Sequence, residues 1–169
     1  AMLQGQLDEV EPSGIVNVSL PSARFNSLYL LRHSGEHFAS VDISLRIVLD
    51  WAFYVRRHPV DWPWLLAQLD RVGMRPYLAV LNAICVRYLG FEASVFPELP
   101  VDEALVDRSM QDILVPEVEP EEHKNRMREV AFRFRRWYAN RWKHDMVYRE
   151  RAAVSLFTQL WSHVLKPSL

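Results

Sequence analysis

Apolar and polar positions follow two different periods along this chain. Over Gly14–Ser22 the apolar residues Ile15, Val16, Val18 and Leu20 fall weakly at every second place, the spacing of a strand. A lone strand needs a partner, and the polar residues 3–14 supply no second alternating run, so the strand is expected to be an orphan behind a loose lead-in. From Asn26 onward the apolar residues recur every third and fourth place, the period of amphipathic helices.

The stretch Leu28–Pro59 predicts two such helices joined by a polar turn. Asn26 is placed to cap the first, with Phe25 against Leu30, and Asp42 to cap the second, whose apolar face would be Leu45, Val48, Leu49, Ala52 and Phe53. Pro59 ends that helix. Asp61 then caps WPWLLAQLDRV, with Pro63 in its first turn and Gly73 closing it. Pro76 opens YLAVLNAICVRYL, apolar almost all round and so expected to be the most buried element, stopping at Gly90. Asp102 caps a fifth helix to about Val115. A sixth spans EEHKNRMREVAFRFRRWYANRW, with Glu121 and Glu122 complementing its dipole. A break is expected near Lys143–Val147, then a last helix from Arg149 to Leu165. The fold class is all-α, six or seven helices with one short N-terminal strand. Residues 1–25 form the lead-in and 26–169 one helical domain.

Composition narrows this further. A chain of 169 residues is one domain's length, long enough to bury roughly 70% of its unfolded surface. Half of it is hydrophobic, too much for a disordered chain. The single cysteine, Cys85, excludes an internal disulfide and a cysteine-based zinc cluster, and its apolar surroundings predict a buried, inert thiol. No signal peptide is recognisable and no run of 18 apolar residues occurs in these residues, so a reducing cytoplasm and no membrane are expected. A net charge of −1 leaves the whole molecule without a strong field.

The charge is unevenly spread, however. Lys124–Arg151 holds ten Lys/Arg against three Asp/Glu, a balance of +7, while the rest carries −8. Arg133, Arg135, Arg136, Arg141 and Lys143 make this a basic surface, interleaved with Phe132, Phe134, Trp137, Tyr138, Trp142 and Tyr148. Cations and rings together are what a single-stranded nucleic acid requires, phosphates on one and bases on the other. Phe134, Trp137, Tyr138, Arg141 and Trp142 also fall at helical spacing, which favours core packing for the rings and leaves the arginines as a solvated face or docked on acidic surface elsewhere, and Trp62 and Trp64 read as packing residues too.

Two further groups carry candidate chemistry. His33-Ser34-Gly35-Glu36-His37 fits the H-x-x-E-H zinc-hydrolase pattern, in which histidines one turn apart reach a single metal ion. A third ligand is required from a downstream helix and none of the right kind is visible, so no metal is assigned. His33 and His37 are left either hydrogen-bonded at a helix–helix contact or lining a groove. Arg46 and Asp50 are also one turn apart, able to pair with each other for a few tenths of a kcal/mol. Beside His33 or His37 they would instead form an anion-binding corner, the carboxylate holding an imidazole and the guanidinium free for phosphate.

The run SLYLLRHSGEHFASVDISLRIVLDWAFYVRRHPVDWPWLLAQLDRVGMRPYLAVLNAICVRYLGF carries LLRH…HF, then LR..LDWA, then the DW that opens the third helix. In these elements, and in RFRRWYANRWKHDMVYRE…WSHVLKP, the chain resembles the helical part of an uncharacterised nucleotidyltransferase family of bacterial proteins, frequent in Bacteroides-type gut anaerobes. The likeness covers about residues 24–167. It implies an upstream palm with a Gly-Ser turn and an Asp-x-Asp pair that hold Mg²⁺ and a nucleoside triphosphate for in-line attack. Neither motif occurs here; Glu9-Val10-Glu11 and Glu117-Val118-Glu119 have the carboxylate spacing but no glycine-rich turn before them. The resemblance thus implies a helical C-terminal portion, inactive alone. It would complete a missing palm of the same protein, the orphan strand being that palm's tail. His33, His37, Arg46 and Asp50 would then shape a cleft for the nucleotide and an unknown acceptor. The alternative from a different class is a non-catalytic module that binds RNA or an acidic protein through 124–151.

Overall fold

The fold is that of a computed structural model, which describes residues 10–40, 42–116 and 126–148; side chains at 126–130 and 133 lie outside that description. The described part is mainly α, with six helices and one small hairpin. The expected all-α class therefore holds.

The N-terminal strand is not an orphan. β1 (Val10–Pro12) pairs antiparallel with β2 (Ser19–Pro21), placing Glu11 opposite Leu20. Ser13 organises the turn between them, its hydroxyl donating to the Val18 carbonyl at 2.6 Å and accepting from the Ile15 amide. Gly14 and Asn17 supply the two positive-φ positions that the turn needs. The partner was missed because Val-Glu-Pro is three residues long and holds no alternation to detect. With it in place, the strand is no sign of a missing neighbour.

α1 (Ala23–Ser40) begins earlier than Asn26. Ser22 is the cap, its hydroxyl accepting from the Phe25 amide, while Asn26 sits inside the first turn and bonds back to the Pro21 carbonyl. Phe25 stacks on Tyr29. Asp42 likewise is not the cap of α2 (Leu45–Arg57): Ser44 holds that position without a side-chain bond, and Asp42 is engaged elsewhere. The buried stripe of α2 is Val48, Trp51, Ala52 and Val55, at helical spacing, which turns Phe53 outward.

The later helices follow the sequence more closely. Asp61 accepts from the Trp64 amide to start α3 (Trp62–Val72), and Gly73 ends it in the left-handed conformation. α4 (Arg75–Arg87) is buried on nearly every side and touches α2, α3, α5 and α6, so it is the central helix. Cys85 lies within it, and burial pushes its thiol up to about 12, which keeps it protonated and inert. A short 3₁₀ turn, Ala93–Val95, leads to α5 (Glu103–Leu114), capped by Asp102 as expected. α6 runs from Arg126 to Val147 without the expected break. Through the expected break Lys143 lies on the inner side of the helix, paired with Asp42 and Asp112. Residues 3–9, the acidic link 117–125 and the expected helix over 149–165 fall outside the described residues.

α6 packs against both α1 and α4. Gly35 of α1 faces both neighbours: a Cβ there would come 2.7 Å from Met74 Cε and 3.4 Å from both Tyr77 and Val147. Among the described residues no helix is long and apolar enough to cross a membrane.

Candidate functional site

The inner face of α1 is taken by Leu28, Leu31, Ser34, Gly35 and Phe38. Helical geometry then turns positions 25, 29, 33 and 37 to another side, one turn apart along a single stripe. Their rings form a ladder. Phe25 stacks on Tyr29 at 5.8 Å, Tyr29 on His33 at 5.6 Å, and His33 meets His37 edge-on at 4.6 Å. Both histidines are exposed, and among the described residues neither makes a hydrogen bond to another helix. Glu36, the acid of the H-x-x-E-H pattern, accepts a 2.7 Å bond from Arg32 on the same helix. Among the described residues no group of three or more His, Cys, Asp or Glu is placed to hold a metal ion.

Arg46 and Asp50 are exposed on α2. They form no ion pair with each other or with another described residue, and no contact joins them to His33 or His37. The anion-binding corner is therefore not assembled from all four. Arg46, Leu49, Asp50 and Phe53 do share one stripe, at i, i+3, i+4 and i+7. That stripe runs into a groove of about 590 Å³ between α2 and the loop after α4. Leu49, Phe53, Leu89, Phe91 and Val95 make its apolar lining, with Arg56 and Glu92 as the charged groups. Phe53 and Phe91 meet edge-to-face across it at 5.4 Å, and Arg57 lies over the Phe53 ring. A groove with an apolar lining and a few charges at its margin is the usual form of a small-molecule site.

The basic region divides in two. Arg135 and Arg141 are exposed as expected, and the Arg133 side chain lies outside the described residues. Lys143 is not on the surface: it is 0% exposed, with its ammonium 2.5 Å from Asp112 on α5 and 3.3 Å from Asp42 in the α1–α2 connection. Arg136, mostly covered, pairs with the second Asp42 oxygen at 3.3 Å. The Lys143 ammonium also lies over the Phe38 and Trp142 rings at 5.4 and 5.8 Å. The physical reason is position. Lys143 shares the inward stripe of α6 with Asn140, Met146 and Val147, and an ammonium there needs carboxylates within the core. The aromatic residues are corrected in the opposite sense: Phe134 and Tyr138, expected in the core, are 58% and 55% exposed. A signal for the buried pair was present in the sequence. Asp112 stands on the apolar stripe of α5 with Val106 and Ser109, and Lys143 on that of α6, each a charge where the period calls for an apolar residue.

No protein-family model matches the chain, and neither a curated protein nor a solved structure does.

Proposed function

We propose that this chain is the helical portion of a nucleotidyltransferase, forming the acceptor or nucleotide side of a cleft whose catalytic palm belongs to the same protein. What supports this reading is that Arg46 and Asp50, singled out by the LR..LDWA element, stand exposed and without an ion-pair partner among the described residues, on the same α2 stripe as Leu49 and Phe53, which line the 590 Å³ groove. A guanidinium that serves no ion pair among the described residues is available for a phosphate or carboxylate. His33 and His37, from LLRH…HF, are exposed as well, and among the described residues their ring contacts are with Tyr29 and with each other.

The described residues do not fit the Mg²⁺ and nucleoside triphosphate centre that the resemblance implies. They contain no Asp-x-Asp pair and no cluster of ligand groups. Any such centre belongs to the palm, and the part assigned to this chain is to position the substrate. In the full-length protein, Arg46→Ala is expected to weaken nucleotide or acceptor binding by about tenfold or more, the loss of one charge-assisted hydrogen bond. Thermal unfolding should not change, because Arg46 is exposed and has no ion-pair partner among the described residues. Unaltered binding in that variant would overturn the proposal, as would an upstream reading frame without a Gly-Ser turn and an Asp-x-Asp pair.

A further inference from the structure

Positions 131, 134, 135, 138, 141 and 145 of α6 lie along one stripe of the helix, and all six are exposed. The stripe is neither a solvated charged face nor an apolar docking face. It alternates rings and cations: Phe134, Arg135, Tyr138, Arg141. Phe134 contacts the half-buried Trp137 at 5.8 Å, and the Arg141 guanidinium lies 4.5 Å over the Tyr138 ring. Asp145, one turn further on, ends the run of positive charge.

The cations of this helix are divided by function. Arg136 and Lys143 on the inner side are matched to Asp42 and Asp112. Arg135 and Arg141 on the outer side have no carboxylate partner among the described residues. Two large rings more than half exposed on the same stripe as two unmatched cations are not accounted for by folding, since neither contributes to the core.

We propose that this outward face of α6 binds single-stranded nucleic acid. Phe134 and Tyr138 would each stack one base, and Arg135 and Arg141 would hold the phosphates between and beyond them. The two rings are one helical turn apart, about 6 Å along the axis, so successive bases of an extended strand can reach both. A duplex, with its base faces already stacked, offers the rings nothing. A purely acidic protein surface would use the arginines and leave Phe134 and Tyr138 without a role. This site is separate from the α2 groove and stands whether or not that groove serves a nucleotidyltransferase.

The test is fluorescence anisotropy of a labelled single-stranded 12-mer against the full chain over a potassium chloride series. Single-strand binding that weakens as salt rises is expected, together with weaker binding to a duplex of the same sequence. Phe134→Ala and Tyr138→Ala should each reduce affinity between about fivefold and about a hundredfold, leaving the salt slope unchanged. Arg135→Gln and Arg141→Gln should each make the log–log salt slope shallower by about 0.7. Thermal unfolding of all four variants should match the parent, because the side chains are exposed. The proposal is overturned by no binding at low salt, or by affinity that survives loss of both rings. Duplex or an acidic peptide bound as tightly as the single strand would overturn it equally.

Discussion

The ammonium of Lys143 lies 2.5 Å from the carboxylate of Asp112, with the two side chains at 0% and 1% exposure. This pair ties α6 to α5, and through Asp42 to the α1–α2 connection. Charges withdrawn this far from water are costly to separate, because the survivor is left buried without compensation. Lys143→Met, which keeps the aliphatic stem, is expected to lower the unfolding free energy by about 3–5 kcal/mol. Replacing both partners, Lys143→Met with Asp112→Val, should recover most of that loss, since Asp42 still has Arg136. Urea denaturation of both variants checks this. A double variant no more stable than the single one would mean that the pair is not what holds α6 in place.

That cluster also marks the limit of what the sequence discloses. The caps Asp61, Gly73 and Asp102 act within a few residues, so their chemistry could be read locally, and the all-round apolar α4 could only be a central helix. Asp42 has the right type and place for a helix cap, yet its partners lie 94 and 101 residues away. No local pattern carries a contact of that range. The rotation of α2 was missed for a related reason. Phe53 and Trp51 are both large and apolar two residues apart, and only the groove beside Phe91 shows which one turns outward. His33 and His37 were legible as a pair, because i and i+4 always share a face, but the side of the bundle that face takes depends on α4 and α6.

Trp51 donates its indole N–H to the Asn82 side-chain oxygen at 2.9 Å, joining α2 to α4 inside the core. Asn82→Ala removes the acceptor and leaves that donor buried and unpaired, an expected cost of about 1–3 kcal/mol. In the Asn82→Ala background Trp51→Phe should cost less than it does in the parent, by about 1 kcal/mol of coupling. A double-mutant cycle measured by chemical denaturation checks the pair, and strict additivity would count against the bond.

Alkali should unfold this protein earlier than its surface charge alone suggests. Burial raises the Cys85 thiol from 9.0 to about 12 and holds the fully enclosed Tyr77 phenol well above 10.0. Tyr54, whose hydroxyl donates to the Ala23 carbonyl, is raised to about 12 by burial and then by the charge of Glu11. Each group keeps its proton longer in the folded chain than in the unfolded one. Stability is therefore fully present below about pH 9 and falls as pH rises toward 12. Cys85 and Tyr77 each contribute a slope of up to about 1.4 kcal/mol per pH unit, Tyr54 less because it is only half covered. Cys85→Ala should flatten the first part of that decline, from pH 9 to 10, in unfolding curves taken at intervals of half a pH unit.

Gly35 allows α1 to approach α4 and α6 closely, and the response to larger residues should be graded. A methyl group meets first the Met74 Cε at 2.7 Å, the free end of a flexible chain that can turn aside. Alanine is also the better helix former by about 0.8–1 kcal/mol, so Gly35→Ala is expected to stay within about 1 kcal/mol of the parent, the two effects offsetting. Leucine reaches past Met74 to the Tyr77 ring and the Val147 side chain, which stand on two different helices and cannot retreat together. Gly35→Leu should therefore cost about 1–3 kcal/mol through overpacking, visible as a lower Tm. In a Met74→Leu background, where Cε is gone, Gly35→Ala should become stabilising. If Gly35→Leu instead unfolds at the parent's temperature, α1 is not held against α4 and α6 at this distance, and the outward placement of His33 and His37 loses its basis.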